Sequence, residues 1–358
     1  MPDLKSNFVG RVNRLPLRPS DRNALIPVME AVSNSVHSIT DRFGGDAGTQ
    51  RHIDIIVVRD LENEDEPIIG FDVEDNGVGF TDANYQSFLT PDSRLKESRG
   101  GKGVGRLIWL KRFRNIEIES TFFENGSIYK RQFSFRSSER EQVEELSFGP
   151  VDPVSTIKTR VSFRGFESSF GSRCPSRPGT IALRILSHFV PLFIAEMRQK
   201  TFIQDGSRID LEALFPESIK DQSTTTSMLE LGGEQVEIVV RSLRCTKSVR
   251  FDGGGYNFGF IAGMSRSVID YSIDDQLGLH LLDGEYLYLG CASGEYLDRN
   301  VNSERTAFTL DGAEIDQIRR LIARDAKNFL RSYVEIALAE KVRITKELIV
   351  ENAQFLYV

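Results

Sequence analysis

Three short segments of the chain carry side chains and glycines that could bind a nucleotide. The first holds a carboxylate and an amide four residues apart, the second an aspartate followed by two glycines, and the third a glycine-rich loop. In chain order they are Glu30 and Asn34; Asp75, Gly77 and Gly79; and Gly101, Lys102, Gly103, Val104 and Gly105. A carboxylate can accept hydrogen bonds, and glycines let the backbone come close to a flat ring. The free N–H groups at the start of a helix can bind phosphates. Together they predict an ATP site.

A helix and a strand must position the first two segments. Apolar residues recur at helical spacing around Glu30 and should form the buried side of an amphipathic helix: Leu25, Val28, Met29, Val32, Val36 and Ile39. Glu30 and Asn34 then share the opposite face, because residues four apart lie on one side of a helix. The apolar run 68–73 predicts a strand that delivers Asp75 at its end. A solvated helix face is the alternative interpretation of Glu30 and Asn34.

The glycine-rich loop differs from two common phosphate-binding loops. A Walker A loop needs Ser or Thr after its lysine, whereas Gly103 follows Lys102. A Rossmann loop follows directly on a strand, whereas the polar stretch 91–99 precedes this one. An amphipathic helix is predicted at 104–113, immediately behind the loop. A flexible surface loop is the alternative interpretation.

The order and spacing of these segments resemble the GHKL superfamily of ATPases, which includes the DNA gyrase ATPases, the heat-shock chaperone ATPases, sensor histidine kinases and MutL. The resemblance implies that Asp75 accepts a hydrogen bond from the adenine amino group. It implies that Glu30 orients the attacking water as a general base and that Asn34 holds Mg²⁺. It also implies that residues 82–100 form a lid over ATP and that Lys102 offsets charge on the phosphates.

Two later positions extend the resemblance. Thr159 begins an alternating strand where the family usually has Gly-Thr, with the threonine hydroxyl beside the adenine-binding carboxylate; Lys158 stands here in place of the glycine. Arg305 lies in the stretch 297–306, which resembles the heat-shock chaperone middle domain, with Glu304 inserted before the arginine. In that family the arginine reaches the γ-phosphate from a second domain. A plain strand threonine and a surface arginine are the alternatives.

The predicted fold class is α+β. Residues 1–172 should form a Bergerat-type α/β sandwich that binds ATP, and residues 173–358 a middle- or transducer-like second α/β domain. The Ser-, Gly- and Pro-rich stretch 168–179 predicts the boundary between them. The second domain should end in a long amphipathic helix at about 313–342. Because the last residues are apolar, we expect the sequence to be part of a longer chain.

Local patterns predict further elements of both domains. Asn125-Gly126 indicates a tight turn between strands at 116–123 and 128–135. Another strand is expected at 53–58 and a helix at 181–200. The second domain should contain strand-like runs at 235–243, 256–262 and 286–291.

Composition limits the class of protein. The formal net charge of −7 disfavours a globally basic nucleic-acid binder, although cationic residues crowd the region 96–114. Three widely spaced cysteines give neither a disulfide framework nor a zinc site, so we expect a reducing, cytoplasmic compartment. The sequence contains no apolar stretch long enough to cross a bilayer.

The resemblance predicts Mg²⁺-dependent ATP binding and slow hydrolysis that drive a conformational or dimerisation switch, as in a chaperone. The expected assembly is a nucleotide-dependent homodimer, and the downstream target, whether client protein, nucleic acid or partner enzyme, is open. One alternative is an ATP switch of the MutL or MORC type in DNA management or bacterial defence. A histidine kinase is disfavoured, since no histidine precedes the motif helix.

Overall fold

The computed structural model describes residues 8–15, 18–44, 50–90, 105–138, 141–194, 200–251, 255–263, 266–278, 284–301 and 307–351. The chain divides into two compact units: the first comprises Met1–His188 and Arg198–Phe215, and the second Phe189–Met197 and Pro216–Val358. The boundary expected from the sequence, at 172/173, falls inside the first unit. The reason is that the sheet of this unit takes up two further strands after that point.

An eight-stranded sheet forms the centre of the first unit. Its strands are β1 (His52–Arg59), β2 (Ile68–Asp75), β3 (Phe113–Glu124), β4 (Ser127–Arg136), β5 (Val143–Pro150), β6 (Lys158–Phe166), β7 (Lys200–Asp205) and β8 (Ser207–Asp210). They are arranged in the order β5-β4-β3-β6-β2-β1-β7-β8. Only β1 and β7 pair in parallel among these described strands, and the other neighbours are antiparallel.

Helices precede, interrupt and follow the strands of this sheet. They are α1 (Phe8–Asn13), α2 (Asp21–Phe43), α3 (Asp82–Leu89), α4 (Gly105–Arg112), α5 (Ser168–Gly171), α6 (Pro178–Ile194) and α7 (Leu211–Ser218). The last two have residues in both units. Helix α2 packs on β1, β2 and α4, and α4 packs on β3. The motif helix therefore lies against the strand that ends in Asp75.

Local sequence signals explain α2 and the β3–β4 hairpin. The predicted apolar stripe of α2 is confirmed, because Leu25, Val28, Met29, Val32, Val36 and Ile39 are at most 2% exposed. Asn125 and Gly126 have φ angles of 50° and 82°. Positive φ at both central residues is what a two-residue hairpin turn of type I′ requires. The predicted hairpin is thus confirmed.

A buried arginine fixes α4 to α2 at a proline. Pro27 lies inside α2 and has no N–H, so the carbonyl of Asn23 lacks its helical donor. Arg112, at the end of α4 and fully buried, donates from Nε to that carbonyl and from Nη1 to the Ile108 carbonyl at 3.2 Å. Its guanidinium also lies 4.9 Å from the ring centre of Phe170. Burial lowers the pKa of Arg112 to about 10, so it remains a cation at neutral pH.

The second unit contains a five-stranded sheet and a long helix. Its elements are β9 (Ile219–Leu231), β10 (Glu234–Thr246), a 3-10 turn (Lys247–Val249), β11 (Phe258–Gly263), β12 (Arg266–Ser272), α8 (Asp274–Leu277), β13 (Tyr286–Ser293), α9 (Glu295–Arg299) and α10 (Gly312–Glu351). The strand order is β12-β11-β13-β10-β9. Helix α10 packs on β9, β10, β11 and β13 and buries Ile318, Leu321, Ile322, Ala326 and Leu330.

These two units confirm the predicted α+β class. They also confirm that a long helix ends the described part of the chain, although α10 runs beyond the expected 313–342. Helix α6, expected at 181–200, is described as Pro178–Ile194; residues 195–199 lie outside the described part of the chain, and Lys200 belongs to β7. Among the described residues, no helix has both the length and the apolar character needed to span a membrane.

Candidate functional site

Asp75 ends β2 as a buried side chain held by two hydrogen bonds. The backbone N of Gly77 donates to Oδ1 at 2.8 Å, and Oγ of Ser35 donates to Oδ2 at 2.8 Å. The second bond joins the motif helix to the sheet directly, since Ser35 follows Asn34 in α2. A carboxylate oxygen has two lone pairs, so among the described residues each oxygen retains one acceptor position. Asp75 can therefore accept a donor from a ligand without giving up either bond.

The ionisation of Asp75 reflects a balance between burial and its neighbours. Burial raises the pKa of Asp75 to about 6, and the bonds from Gly77 and Ser35 oppose that rise. The charges of His52 on β1 and Arg42 on α2 also favour the ionised form. A further donor next to the carboxylate would stabilise the charge and lower the pKa. The site is therefore suited to a ligand that brings an N–H group.

The glycine turn after Asp75 is wedged between α2 and β3. A Cβ on Gly77 would overlap Ser38 of α2. Gly79 has a φ of 77°, and a Cβ there would lie 2.7 Å from Oγ of Ser120 and 2.8 Å from Cβ of Phe122. Both positions thus require glycine for lack of space, and the second also for its backbone conformation. The turn brings the backbone against the elements that surround Asp75.

Thr159 lies next to Asp75 on the neighbouring strand. The two residues are directly opposite each other in the antiparallel pairing of β2 and β6, so their side chains share one face of the sheet. Both are buried, with 4% and 5% of their surface exposed. Oγ1 of Thr159 is 2.8 Å from Oγ of Ser120, which accepts a hydrogen bond from the backbone N of Phe80 at 2.9 Å.

Glu30 and Asn34 lie on the same helix as Ser35, the residue that holds Asp75. Glu30 is half-buried and Asn34 is exposed. Burial raises the pKa of Glu30, so its carboxyl binds a proton more readily than an exposed glutamate does. A raised carboxyl pKa suits a group that accepts a proton from water. Helix α2 thus carries a potential base, an exposed amide and the anchor of Asp75 within two turns.

Several predicted site residues lie outside the described part of the chain. They are Gly101, Lys102, Gly103, Val104 and Arg305. Gly105 begins α4, and the start of the segment expected as a lid forms α3. Arg106 donates to the carbonyls of Phe88 and, at 2.9 Å, of Thr90. The end of α3 and the start of α4 are therefore joined on either side of residues 91–104.

The sequence did not point to Ser35 and Ser120, the two serines that contact Asp75 and Thr159. A signal for Ser120 does exist. Buried residues alternate along β3, and Ser120 occupies one of these inward positions between Ile118 and Phe122. A small polar residue in such a row indicates a hydrogen-bonded group in the interior.

No protein-family model matches the chain. No curated protein matches it either. Among solved structures, it is similar to one described as the Aquifex aeolicus MutL ATPase domain complexed with ADP, at 14% identity and a TM-score of 0.38. The match covers 74% of this chain and 89% of that chain. Since so low a TM-score does not establish a common fold, the function has to be inferred from the residues of the site.

Proposed function

We propose that the first unit is a GHKL-type ATPase that binds the adenine ring of ATP at Asp75. The observation that carries the proposal is the buried Asp75 carboxylate, which retains acceptor capacity and lies beside the Thr159 hydroxyl. The amino group of adenine is a donor that fits this acceptor, and a hydrogen bond to a charged group is stronger than one between neutral groups. Gly77 and Gly79 let the turn pack against α2 and β3 and so fix the backbone beside Asp75, next to where a flat ring would bind.

Asn34 and Glu30 would act at the phosphate end of the nucleotide. Asn34 would bind Mg²⁺ through its amide oxygen, together with phosphate oxygens and water. Mg²⁺ at phosphate sites usually has few protein ligands. The bound ion would offset negative charge on the phosphates. Glu30 would orient the attacking water and accept its proton.

The glycine-rich loop and Arg305 complete the proposed machinery. Backbone N–H groups of Gly101, Gly103, Val104 and Gly105 would bind phosphate oxygens at the start of α4, as helix N-termini commonly do. Lys102 and Arg305 would offset charge on the phosphates, and an arginine is suited to this because it is always charged and can donate two parallel hydrogen bonds. Contact of both cations with one γ-phosphate would make the conformation depend on ATP rather than ADP.

The proposed output is a conformational or dimerisation switch with slow turnover, of the chaperone type. A MutL- or MORC-like role in DNA management or bacterial defence makes a different prediction, namely that DNA stimulates ATP turnover. Measuring the ATPase rate with and without DNA at several protein concentrations separates the two, because a dimerisation switch without DNA dependence responds to protein concentration alone.

Asp75→Asn tests the proposed function directly. The amide would place a donor opposite the adenine amino group and remove a charge-assisted hydrogen bond of roughly 1.5–3 kcal/mol, which corresponds to about tenfold or more in ATP affinity. Asp72→Asn is a matched control on the same strand, since Asp72 is also buried but pairs with Arg164 at 2.7 Å. Titration calorimetry with Mg²⁺ and ATP should show a loss only for Asp75→Asn. An unchanged affinity in that variant would rule out Asp75 as the adenine acceptor.

A further inference from the structure

We infer that Ser120 is the positioning residue that fixes the Thr159 hydroxyl as a hydrogen-bond donor and thereby makes the proposed nucleotide site selective for adenine over 6-oxopurines. The inference rests on the proposed function, because it concerns the same site. It concerns residues of two strands, β3 and β6, and the glycine turn that precedes α3.

The surroundings of Ser120 favour one direction for its hydrogen bond to Thr159 when a ligand is bound. Ser120 is fully buried, and its Oγ already accepts the backbone N–H of Phe80 at 2.9 Å. A buried hydroxyl hydrogen also needs an acceptor, since an unpaired polar group is costly in the interior. Within the described part of the chain, the hydroxyl partner of Ser120 is Oγ1 of Thr159 at 2.8 Å. With a ligand bound beside Asp75, both hydroxyl hydrogens have an acceptor when Ser120 donates to Thr159 and Thr159 donates to the ligand, whereas the reverse direction leaves the hydrogen of the fully buried Ser120 unpaired.

In this direction the hydrogen of Thr159 is directed to the ligand. The Phe80 N–H donates to Ser120, and the Ser120 O–H donates to Thr159. In such a chain each hydrogen bond polarises the next donor and strengthens its bond. Because Oγ1 of Thr159 accepts from Ser120, its own hydrogen points elsewhere. Asp75 lies directly opposite Thr159 in the pairing of β2 and β6. The site thus presents a fixed acceptor and a fixed donor side by side.

That pair matches one edge of adenine. Adenine presents a donor, its 6-amino group, next to an acceptor, its ring nitrogen N1. A 6-oxopurine presents the reverse, an acceptor at position 6 and a donor at N1. Its acceptor would face the acceptor Asp75, and its donor would face the donor Thr159. Sites built from oriented hydrogen bonds discriminate strongly, because the wrong ligand leaves buried polar groups unpaired. Without Ser120, the Thr159 hydroxyl could rotate and either donate or accept.

The test compares ATP with inosine triphosphate, which differs at positions 1 and 6 of the purine. Calorimetric affinities of the full chain with Mg²⁺ at pH 7.5 give a preference ratio for each variant. Ser120→Ala should lower the ATP-to-inosine triphosphate ratio about tenfold, and Thr159→Val should lower it similarly. The double variant should be no worse than Thr159→Val, because both changes remove the same oriented donor. Ser134→Ala, a control at a buried serine of β4, should keep the wild-type ratio.

A change in stability alone would not support the inference. Ser120→Cys nearly preserves the side-chain volume but provides only a weak donor, so it should reproduce the lower ratio if the alanine variant folds poorly. An unchanged ratio in both variants, with or without a lower melting temperature, would overturn the role of Ser120. Additive effects of Ser120→Ala and Thr159→Val would overturn it too. Failure of the wild type to bind ATP would instead contradict the proposed function itself.

Discussion

Asp75→Asn should stabilise the ligand-free protein at neutral pH while it weakens ATP binding. Burial raises the pKa of Asp75 to about 6, from 3.8 for an exposed aspartate, so keeping this side chain ionised costs free energy in the folded state. Asparagine can preserve both hydrogen bonds of the carboxylate. Its oxygen can accept from the N–H of Gly77, and its amide nitrogen can donate to Oγ of Ser35. The substitution therefore removes a buried charge and keeps one hydrogen bond to Gly77 and one to Ser35, with the direction of the second reversed.

The size and pH dependence of the gain follow from the two pKa values. Because the folded-state pKa of Asp75 is raised, this group favours folding most below pH 3.8, and that contribution is lost as the pH rises through about 6. The difference between the two pKa values corresponds to roughly 3 kcal/mol above pH 6. The advantage of Asp75→Asn in the free energy of unfolding should thus reach up to roughly 3 kcal/mol at pH 7.5 and shrink towards pH 4.

Urea unfolding without nucleotide, followed by tryptophan fluorescence, measures this advantage. Trp109 is the single tryptophan of the chain and lies in α4, packed edge-on against Phe163, so it reports on the first unit. Wild type and Asp75→Asn are compared at pH 7.5, 6 and 5, with Asp72→Asn as the control that should show no gain at pH 7.5. Equal or lower stability of Asp75→Asn at pH 7.5 would refute the reasoning, and so would a gain that does not shrink with falling pH.

Two further outcomes are expected. Glu30→Gln should keep its calorimetric ATP affinity while phosphate release slows about 10²- to 10⁴-fold, because a general base is lost but no nucleotide contact is; normal turnover would exclude the role of base. Arg112→Met should cost about 1–3 kcal/mol by leaving the Asn23 carbonyl unpaired, and clearly less in a Pro27→Ala background, where residue 27 regains an N–H. Circular dichroism during urea unfolding of all four proteins measures this coupling, and strictly additive losses would contradict the link.

Elements whose packing follows a local period could be predicted from the sequence. Helix α2 shows its buried side as an apolar stripe, because one face of it meets β1 and β2. The β3–β4 turn could be predicted for a different reason, because Asn and Gly tolerate the positive φ angles that the turn needs. The placement of Glu30 and Asn34 on one helix, and of Asp75 at a strand end, follows from these local rules.

Pairings between distant segments could not be predicted in this way. Strand β7 pairs in parallel with β1, with Ile53 opposite Thr201, although most of the first unit separates them in sequence. Nothing in the composition of either strand specifies that partner, so the Ser-, Gly- and Pro-rich stretch between β6 and α6 resembles a domain boundary. Turn chemistry marks where an element ends, whereas long-range pairing decides which unit the next element joins.

The site shows the same division between local and tertiary information. Asp75, Gly77 and Gly79 can be recognised from their spacing, but the identity of their partners depends on register. A shift of one residue in the β2–β6 pairing would turn Thr159 to the other face of the sheet and away from Asp75. The register of β3 against β6 likewise sets Ser120 opposite Thr159. Sequence spacing therefore predicts the acceptor, and tertiary pairing supplies the donor.

Burial would give Asp75, as the proposed acceptor of adenine, both its cost to stability and its value in recognition. In water a carboxylate exchanges hydrogen bonds with solvent, so a ligand donor gains little by replacing a water molecule. With 5% of its surface exposed, Asp75 depends on protein donors, and Ser35 and Gly77 occupy one position on each oxygen. A ligand N–H would fill an acceptor position of the Asp75 carboxylate, where little water is available. A ligand without that donor would leave the negative charge of Asp75 poorly solvated. In the proposed site, selectivity and lower stability of the ligand-free unit would thus arise from one physical cause.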